Sequence, residues 1–450
     1  FKSPTNITFD KDGNWWVSEF AGHRVRQFSP DGELLFELAP GTFRGPHGLL
    51  FDSTGALYVA DTGNGVVRKF RLSPPTTAAP STTPTPIPAP QNGVNETNFP
   101  LTLPAGFRIS LFTPKPIGPI RFMAFSPDGI LFVSLPSLLG LYTGDRSGGT
   151  VFALPDRDQD GRADEVRPVI AGLGDLPHGL AFYDGYLYVA EEDSVSRYLY
   201  RGDGDVGPRE VIVEDLTDGP GHVSRTVAFG GSDKMYVSIG SSCNVCEESD
   251  PPRATIMEYS PDGTGERVFA NGLRNAVGFV FHPVTGEIWA TENARDGLGD
   301  DIPPDEINIV REGQHYGWPF CFGKRVPDPA FNDSARCSTT AESLHDLQAH
   351  SVPLGLRFID SPLFPEEWQG DLLVAYHGSS NRSEPTGYKV VRMAVDGSKI
   401  VAEEDFIYGW LLDNGSSPGR PVDLIFGPED GALYVSDDKA GVVYRVTSVQ

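Results

Sequence analysis

Apolar positions along this chain fall into one recurring phrase: two or three apolar residues, a turn centred on Asp-Gly or a similar pair, then an alternating apolar strand. It reads ITFDKDGNWWVSEF from Ile7, GLLFDSTGALYVAD from Gly48, MAFSPDGILFVS from Met123, GLAFYDGYLYVAE from Gly179 and TVAFGGSDKMYVS from Thr226. It continues as GFVFHPVTGEIWATE from Gly278, GLRFIDSPLFPEEWQGDLLVAY from Gly355 and DLIFGPEDGALYVSDD from Asp423. Period-two alternation around a glycine turn predicts a β-hairpin, because successive strand side chains point to opposite faces of a sheet. Hairpins recurring every roughly 40 to 80 residues predict an all-β propeller with one blade per copy.

Between the second and third copies, Leu72 to Gly93 consists almost wholly of Pro, Thr, Ser and Ala. Such a segment buries no core and behaves as a stiff, extended spacer. The expected organisation is therefore a leading segment at 1–72, a Pro/Thr-rich linker at 73–98 and a six-bladed β-propeller at 99–450. The leading segment resembles NHL repeats, in GHRVRQFSPDG from Gly22 and PHGLLFDSTGALYVADTGNGVVRKF from Pro46. Two blades alone would leave long unpaired edges. Residues 1–72 are accordingly read as the tail of a longer array, with a two-blade accessory packed on the main ring as the alternative.

Composition narrows the function. With 450 residues, 39% hydrophobic, Gly 51 and Pro 39, the chain is globular, turn-rich and long for one core. Its formal net charge of -25 repels phosphate backbones and anionic lipid, which argues against nucleic acid and membrane surfaces as partners. No apolar run reaches the length of about eighteen residues that a membrane span needs. Cys243 with Cys246, and Cys321 with Cys337, fit two local disulfides in an oxidising compartment; a zinc site built from both pairs is the alternative. Sequons at Asn6, Asn95, Asn332, Asn381 and Asn414 are compatible with secretion. A chain starting at Phe1 without a signal peptide is expected to be a processed form or a fragment.

In a propeller the first strand of each blade starts at one end of the central channel, so residues just before each phrase gather around the axis. Those positions hold Arg121, His178, His222 with Arg225, Arg274 with Asn275, and Arg420. One cation or imidazole per blade at a shared register, in a chain this acidic, predicts a positively lined pocket for a small polyanion. Each residue also has a plainer account. PHGL recurs at His47 and can be blade consensus, Arg225 can pair with Asp233, and Arg274 with the acidic loop that follows it. That loop, within Gly272 to Cys321, crowds Glu292, Asp296, Asp300, Asp301, Asp305 and Glu306 together. So many like charges call either for a hard cation such as Ca2+ or for full solvation. DRDQDGRAD, Asp156 to Asp164, has the spacing of a calcium loop, but Arg167 stands where a closing Glu belongs; a tight acidic turn around Gly161 is the preferred account.

The C-terminal part, from about residue 100 to 450, resembles quinoprotein sugar dehydrogenases of the glucose/sorbosone type, most closely the L-sorbosone dehydrogenases. The matching segments include ALPDRDQDGRADEV, LPHGLAF, GSSCNVCEE, GLRNAVGFVFHP, TENARDGLGDDIPPDEIN, YGWPFC and HGSSNRSEPTGYKVVR. The resemblance implies a six-bladed propeller holding pyrroloquinoline quinone (PQQ) and Ca2+ at the axial mouth. By motif, His178 looks like the general base that takes the substrate hydroxyl proton, and Arg274 with Asn275 like the groups that polarise the quinone oxygen and bind its carboxylate. Arg382 and Arg420 look like further cofactor clamps, with Arg121 a weaker candidate and Arg225 counted in the same cationic ring. The Glu292 to Arg295 segment, with Ala294 at its centre, stands where the family holds the cofactor's Ca2+ through backbone carbonyls, and Asp305-Glu306 resembles an outer or structural calcium position. Ser380 replaces the usual Trp, and Ala294 and Gly297 stand where Gly and Trp are expected, which leaves the sugar unassigned.

The function expected is thus secreted, PQQ- and calcium-dependent oxidation of a sugar or sugar aldehyde, with electrons passed to an external acceptor. A non-catalytic propeller binding a small anion, and a metal-dependent propeller lactonase, are the alternatives.

Overall fold

The computed structural model describes residues 2–449 except 12, 39–42, 52–55, 72–92, 138–147, 175, 218–219, 231–232 and 380. Most of the Pro/Thr-rich spacer and Ser380 therefore lie outside the described residues. The chain forms two compact units, Phe1–Ile87 and Pro88–Gln450.

In the first unit, strands Pro4–Phe9, Trp15–Glu19, Arg24–Phe28 and Leu34–Leu38 make one antiparallel sheet, and Pro46–Phe51, Ala56–Asp61 and Val66–Arg71 a second. Trp16, Val25, Leu38, Phe43, Leu49, Leu57 and Val59 pack between them. The two repeats end their second strands on a buried acid. Glu19 accepts from Arg24 and Arg26, while Asp61 accepts from Arg68, Asn64 and the Arg44 amide. Buried carboxylates need such partners, and the repeat supplies them locally.

The second unit contains, among the described residues, six antiparallel sheets of four or five strands and one two-stranded ribbon. Their first strands are Met123–Phe125, Leu180–Tyr183, Arg225–Gly230, Phe279–Phe281, Pro353–Phe358 and Pro421–Phe426. Each neighbours the first strand of the next sheet, and the last neighbours the first. The reason is legible in the phrase itself. Each first strand carries a Phe near its end that meets an aromatic ring of the preceding sheet: Phe125 on Tyr434 at 5.1 Å, Phe182 on Phe132 at 5.1 Å, Phe229 on Tyr188 at 4.6 Å, Phe281 on Tyr236 at 5.5 Å, Phe358 on Trp289 at 5.3 Å and Phe426 on Phe364 at 5.3 Å. Large rings in tilted or edge-on contact bury much apolar surface per residue.

The ends of this unit meet in the last sheet. Phe107–Leu111 pairs antiparallel with Val442–Ser448, and Val94–Asn95 adds a parallel strand outside it. Residues assigned by composition to the linker thus include a short strand. The single α-helix among the described residues is Ser334–Cys337, and no helix is long and apolar enough to cross a membrane.

An axial cavity of about 770 Å³ runs along the first strands of all six sheets, lined by Phe125, Phe182, Phe229, Phe281, Phe358 and Phe426 among others. Its lining is mainly apolar. Arg121, His178, His222, Arg274 and Arg420 precede first strands, Arg225 opens one and Arg382 follows a second strand, so these residues lie towards the other end of the ring.

Candidate functional site

His178 enters the ring where its own backbone is fixed twice: its amide donates to the Ala190 carbonyl at 2.9 Å, and its carbonyl accepts from Ser134 Oγ of the preceding sheet at 2.6 Å. The ring lies against Phe122, with centroids 4.4 Å apart, and is 3% exposed. Thr226 Oγ1 stands 3.5 Å from Nδ1 and donates its one proton to the Val277 carbonyl at 2.5 Å. The hydroxyl can therefore only accept from His178, which places the imidazole proton on Nδ1 and the lone pair on Nε2. Nε2 faces Arg121 Nη2 at 3.4 Å. Burial, reinforced by the Arg121 charge, holds the imidazole well below its ordinary pKa, so it is neutral.

Arg121 is tied in turn to Asp438 (Nη1 to Oδ2, 2.6 Å), and both Asp438 oxygens lie 3.0 Å from His377 Nε2. Arg420 donates from Nε to the His377 carbonyl at 3.0 Å and from Nη2 to the Gly378 carbonyl, and covers the Tyr388 ring at 5.4 Å. His178, Arg121, Asp438, His377 and Arg420 are therefore one network drawn from four of the six sheets or the segments leading into them. Burial pushes His377 down to about 4 despite its acidic partner. Burial opposes ionisation of Asp438, but His377 and the two arginines outweigh it and hold the carboxyl well below the usual range.

Arg274 is 6% exposed, and neutral oxygens surround it. Nε donates to the Asn244 carbonyl at 3.0 Å, Nη2 to Asn244 Oδ1 at 3.0 Å, and Nη1 to the carbonyls of Asn293 and Ala294 at 3.0 and 2.9 Å. Its nearest ion-pair contact, Asp296, is 3.9 Å away, so the charge is oriented without being cancelled at close range. Asn275 follows it, its amide donating to Glu292 Oε1 at 3.1 Å. The Asn275 side chain shares a narrow space with His222 across Gly240. A Cβ on Gly240 would lie 2.5 Å from His222 Cβ and 2.7 Å from Asn275 Oδ1, so only glycine fits there.

Arg382 donates from Nη1 to the Ala349 carbonyl at 3.3 Å and lies 3.6 Å from Asp301, while its buried Nε has no partner among the described residues. Arg225 behaves differently. Its guanidinium is fully buried and donates to the carbonyls of His222, Ser224 and Thr217, and Asp233 instead accepts from the Tyr183 hydroxyl. Arg225 braces the loop before its strand through both Nη groups, and its buried Nε has no partner among the described residues.

The carboxylates of the acidic loop separate into buried and solvated groups. Glu292 and Glu306 are opposite one another on paired strands and are 6% and 4% exposed. Glu306 accepts from the Gly323 amide and Asn308 Nδ2, and burial pushes it up to about 7. Glu292 Oε2 has no partner among the described residues, and burial followed by repulsion from Glu306 raises this carboxyl well above the ordinary range. A cavity of about 20 Å³, room for one atom-sized guest, is lined by both, with Arg274, Ala294, Arg295 and Asp328. Asp305 accepts the amides of Ala294 and Val352, and burial lifts it to about 6. The Arg295 guanidinium is held on Asp328 at 2.9 Å. Asp301 is exposed, and the partly exposed Asp300 accepts the Ser383 amide at 3.0 Å.

Both expected disulfides are formed, Cys243–Cys246 and Cys321–Cys337, which removes the zinc alternative for the cysteines. In the Asp156 to Asp164 turn, the carboxylates of Asp156, Asp158 and Asp160 approach within 4.8 Å, and Asp156 accepts the amides of Asp160 and Gly161. Arg167 points elsewhere, to the Asp203 carbonyl.

His377 and Asp438 were not found from the sequence. The repeat phrase marks the residues before each first strand, but the chain returns to the same end of the ring immediately after each second strand. HGSS after Tyr376 and the second Asp of VSDD occupy that return position.

Residues 127–449 match the TrAA12-like family, and residues 43–70 match an NHL repeat. The chain belongs to the TrAA12-like family. It is 32% identical over 367 residues to an uncharacterised protein of Borreliella burgdorferi, covering 77% of this chain and 90% of that protein. It is 26% identical over 312 residues to a pyrroloquinoline quinone-dependent sugar dehydrogenase of Hypocrea jecorina, covering 57% of this chain and 70% of the relative. The holo PQQ domain of a Coprinopsis cinerea pyranose dehydrogenase superposes with a TM-score of 0.66 at 20% identity, over 79% of this chain and all of that one. A calcium structure of the Trichoderma reesei AA12 enzyme gives the same TM-score at 21% identity, again over 79% and 100% of the two chains. The second unit thus has the fold of the PQQ dehydrogenases.

Proposed function

We propose that this member of the TrAA12-like family is a PQQ- and Ca2+-dependent dehydrogenase that oxidises a sugar or sugar aldehyde, with His178 as general base and the six sheets as the six blades of its propeller. The observation that carries the reading is a buried, neutral His178 whose Nε2 lone pair faces Arg121, in a network that also holds Asp438, His377 and Arg420. The curated relatives include a PQQ-dependent sugar dehydrogenase and an aldose sugar dehydrogenase of Escherichia coli, and the solved relatives include a PQQ-bound form.

The residues present fit both groups. Arg382 Nε is a buried donor without a partner, and Arg274 is a buried cation with no carboxylate in close contact; both suit a planar tricarboxylate that guanidinium groups grip in parallel. Arg274, Asn275, Arg382 and Arg420 would hold PQQ, with Arg121 beside the base and Arg225 left out. Glu292 Oε2 is a buried acceptor without a partner beside a second buried carboxylate, which suits a hard cation. Glu292, Glu306 and the Ala294 carbonyl would hold Ca2+, while Asp305 and Arg295 shape the turn around it. When bound, PQQ supplies a two-electron acceptor.

The chain's own residues do the rest. His178 Nε2 takes the proton from the sugar hydroxyl as its C–H bond is broken, and Asp438, bound to Arg121, offsets the charge of the resulting imidazolium. Thr226 keeps the receiving lone pair on Nε2, and Ser134 and Phe122 hold the ring in place. The two disulfides support a location in an oxidising compartment. Residues 1–72 are proposed to be an NHL-type unit joined through the 73–98 linker to the catalytic propeller.

The test is dye reduction by protein loaded with PQQ and Ca2+, across aldoses, other pyranoses and sugar aldehydes. Sugar-dependent reduction is expected. Retention of PQQ with no reduction by any sugar would make this a binding propeller and overturn the reading.

A further inference from the structure

Two of the four hydrogen bonds that Arg274 donates go to one residue of an unusual loop. Asn244 meets it with both its backbone carbonyl and its side-chain Oδ1, each at 3.0 Å. The same side chain bridges Asp296 in both directions, donating from Nδ2 to its carbonyl at 3.0 Å and accepting from its amide at 2.9 Å, and Trp318 Nε1 donates to the Asn244 carbonyl at 3.3 Å. Asn244 thus joins Arg274 to the acidic loop. It sits inside the Cys243–Cys246 disulfide, whose cysteines are three positions apart, in a segment outside every strand. Cross-linking so short a loop removes most of the conformations in which Asn244 would leave Arg274. The two disulfides also differ in access. Cys243 and Cys246 are partly exposed beside an exposed Asn244, whereas Cys321 and Cys337 are 5% and 1% exposed. A soluble thiol reaches the first pair and not the second.

We propose that Asn244 is a positioning residue for Arg274 and that the Cys243–Cys246 disulfide sets it in place, so that reducing this bond releases the guanidinium and weakens binding of the anionic cofactor. The reductant is a dithiol: it gives up two electrons and two protons, the S–S bond becomes two thiols, and the dithiol closes to its own disulfide. Reoxidation restores the clamp. The cofactor part rests on the dehydrogenase reading; the clamp itself does not.

Two readouts separate them. In cofactor-free protein, the rate at which phenylglyoxal modifies Arg274, mapped by mass spectrometry, reports the clamp. PQQ retention with Ca2+ in equilibrium dialysis reports the site. Dithiothreitol at a concentration that opens Cys243–Cys246 and leaves Cys321–Cys337 intact, the Cys243→Ser/Cys246→Ser variant and Asn244→Ala should each speed Arg274 labelling and weaken PQQ binding about tenfold or more. Asn244→Asp, which keeps the acceptor oxygen, should protect Arg274 as the parent does, and reoxidation should reverse the effect of the thiol. Equal labelling of Arg274 in parent, reduced and Asn244→Ala protein overturns the proposal. Labelling that changes as expected, in a parent that does not retain PQQ, supports the clamp and overturns the dehydrogenase reading instead.

Discussion

At the residue scale, burial keeps His178, His222 and His377 neutral beside buried arginines. His178→Ala should lower turnover by about two to four orders of magnitude while leaving PQQ retention nearly unchanged, because the imidazole adds little to the grip on a tricarboxylate. Steady-state kinetics beside dialysis checks both halves. Since His178 is held well below 6.5, the acid limb of the kcat/KM profile should lie below pH 6.5. His222 carries a stability cost of the same origin. Burial pushes it down to about 4, with Arg274 adding to the effect. Between pH 6.5 and 4 the unfolded chain binds the proton and the folded chain does not, so stability is lost as pH falls through this window. The penalty is on the order of 3 kcal/mol when complete. His222→Asn should flatten this part of the loss, read as the difference in urea midpoints between pH 7 and pH 4.5; an unchanged difference would show that His222 protonates freely in the folded protein.

At the element scale, each sheet meets its neighbour through a first-strand Phe. Phe358 packs on the fully buried Trp289 and, at 4.8 Å, on His282. Phe358→Ala should cost about 3–5 kcal/mol in denaturant unfolding and Phe358→Leu clearly less. The buried Cys321–Cys337 bond closes a loop of sequence separation 16, and replacing both cysteines with Ser should cost about 3 kcal/mol. The hairpins were legible because alternation around a glycine turn is a local signal. The contacts between sheets were not, since they join residues far apart in the chain. Arg225 shows the limit at the residue level. Register brought it to the correct end of the ring, but the direction of its side chain follows from which carbonyls its loop leaves unpaired, and no spacing rule reports that. His377 and Asp438 were missed for the complementary reason, that the end of a second strand looks like an ordinary turn until the ring is closed.

At the scale of the whole molecule, closure of the ring turns weak local signals into a site. Arg121 and Asp438 are 317 positions apart and form a 2.6 Å contact because the last sheet neighbours the first. A chain of net charge -25 concentrates buried arginines at one end of one axis, and the partnerless Arg382 Nε and Glu292 Oε2 lie among the residues assigned there to an anion and a cation. These groups are proposed to hold PQQ together with Ca2+. Equilibrium dialysis of the cofactor-free protein against PQQ, with Ca2+ and then with a chelator, measures this directly. The account predicts about one PQQ retained per chain with Ca2+ present, weaker retention with chelator, and an affinity loss of tenfold or more in Arg274→Ala. Retention of no PQQ by the oxidised parent protein in the presence of Ca2+ would contradict it.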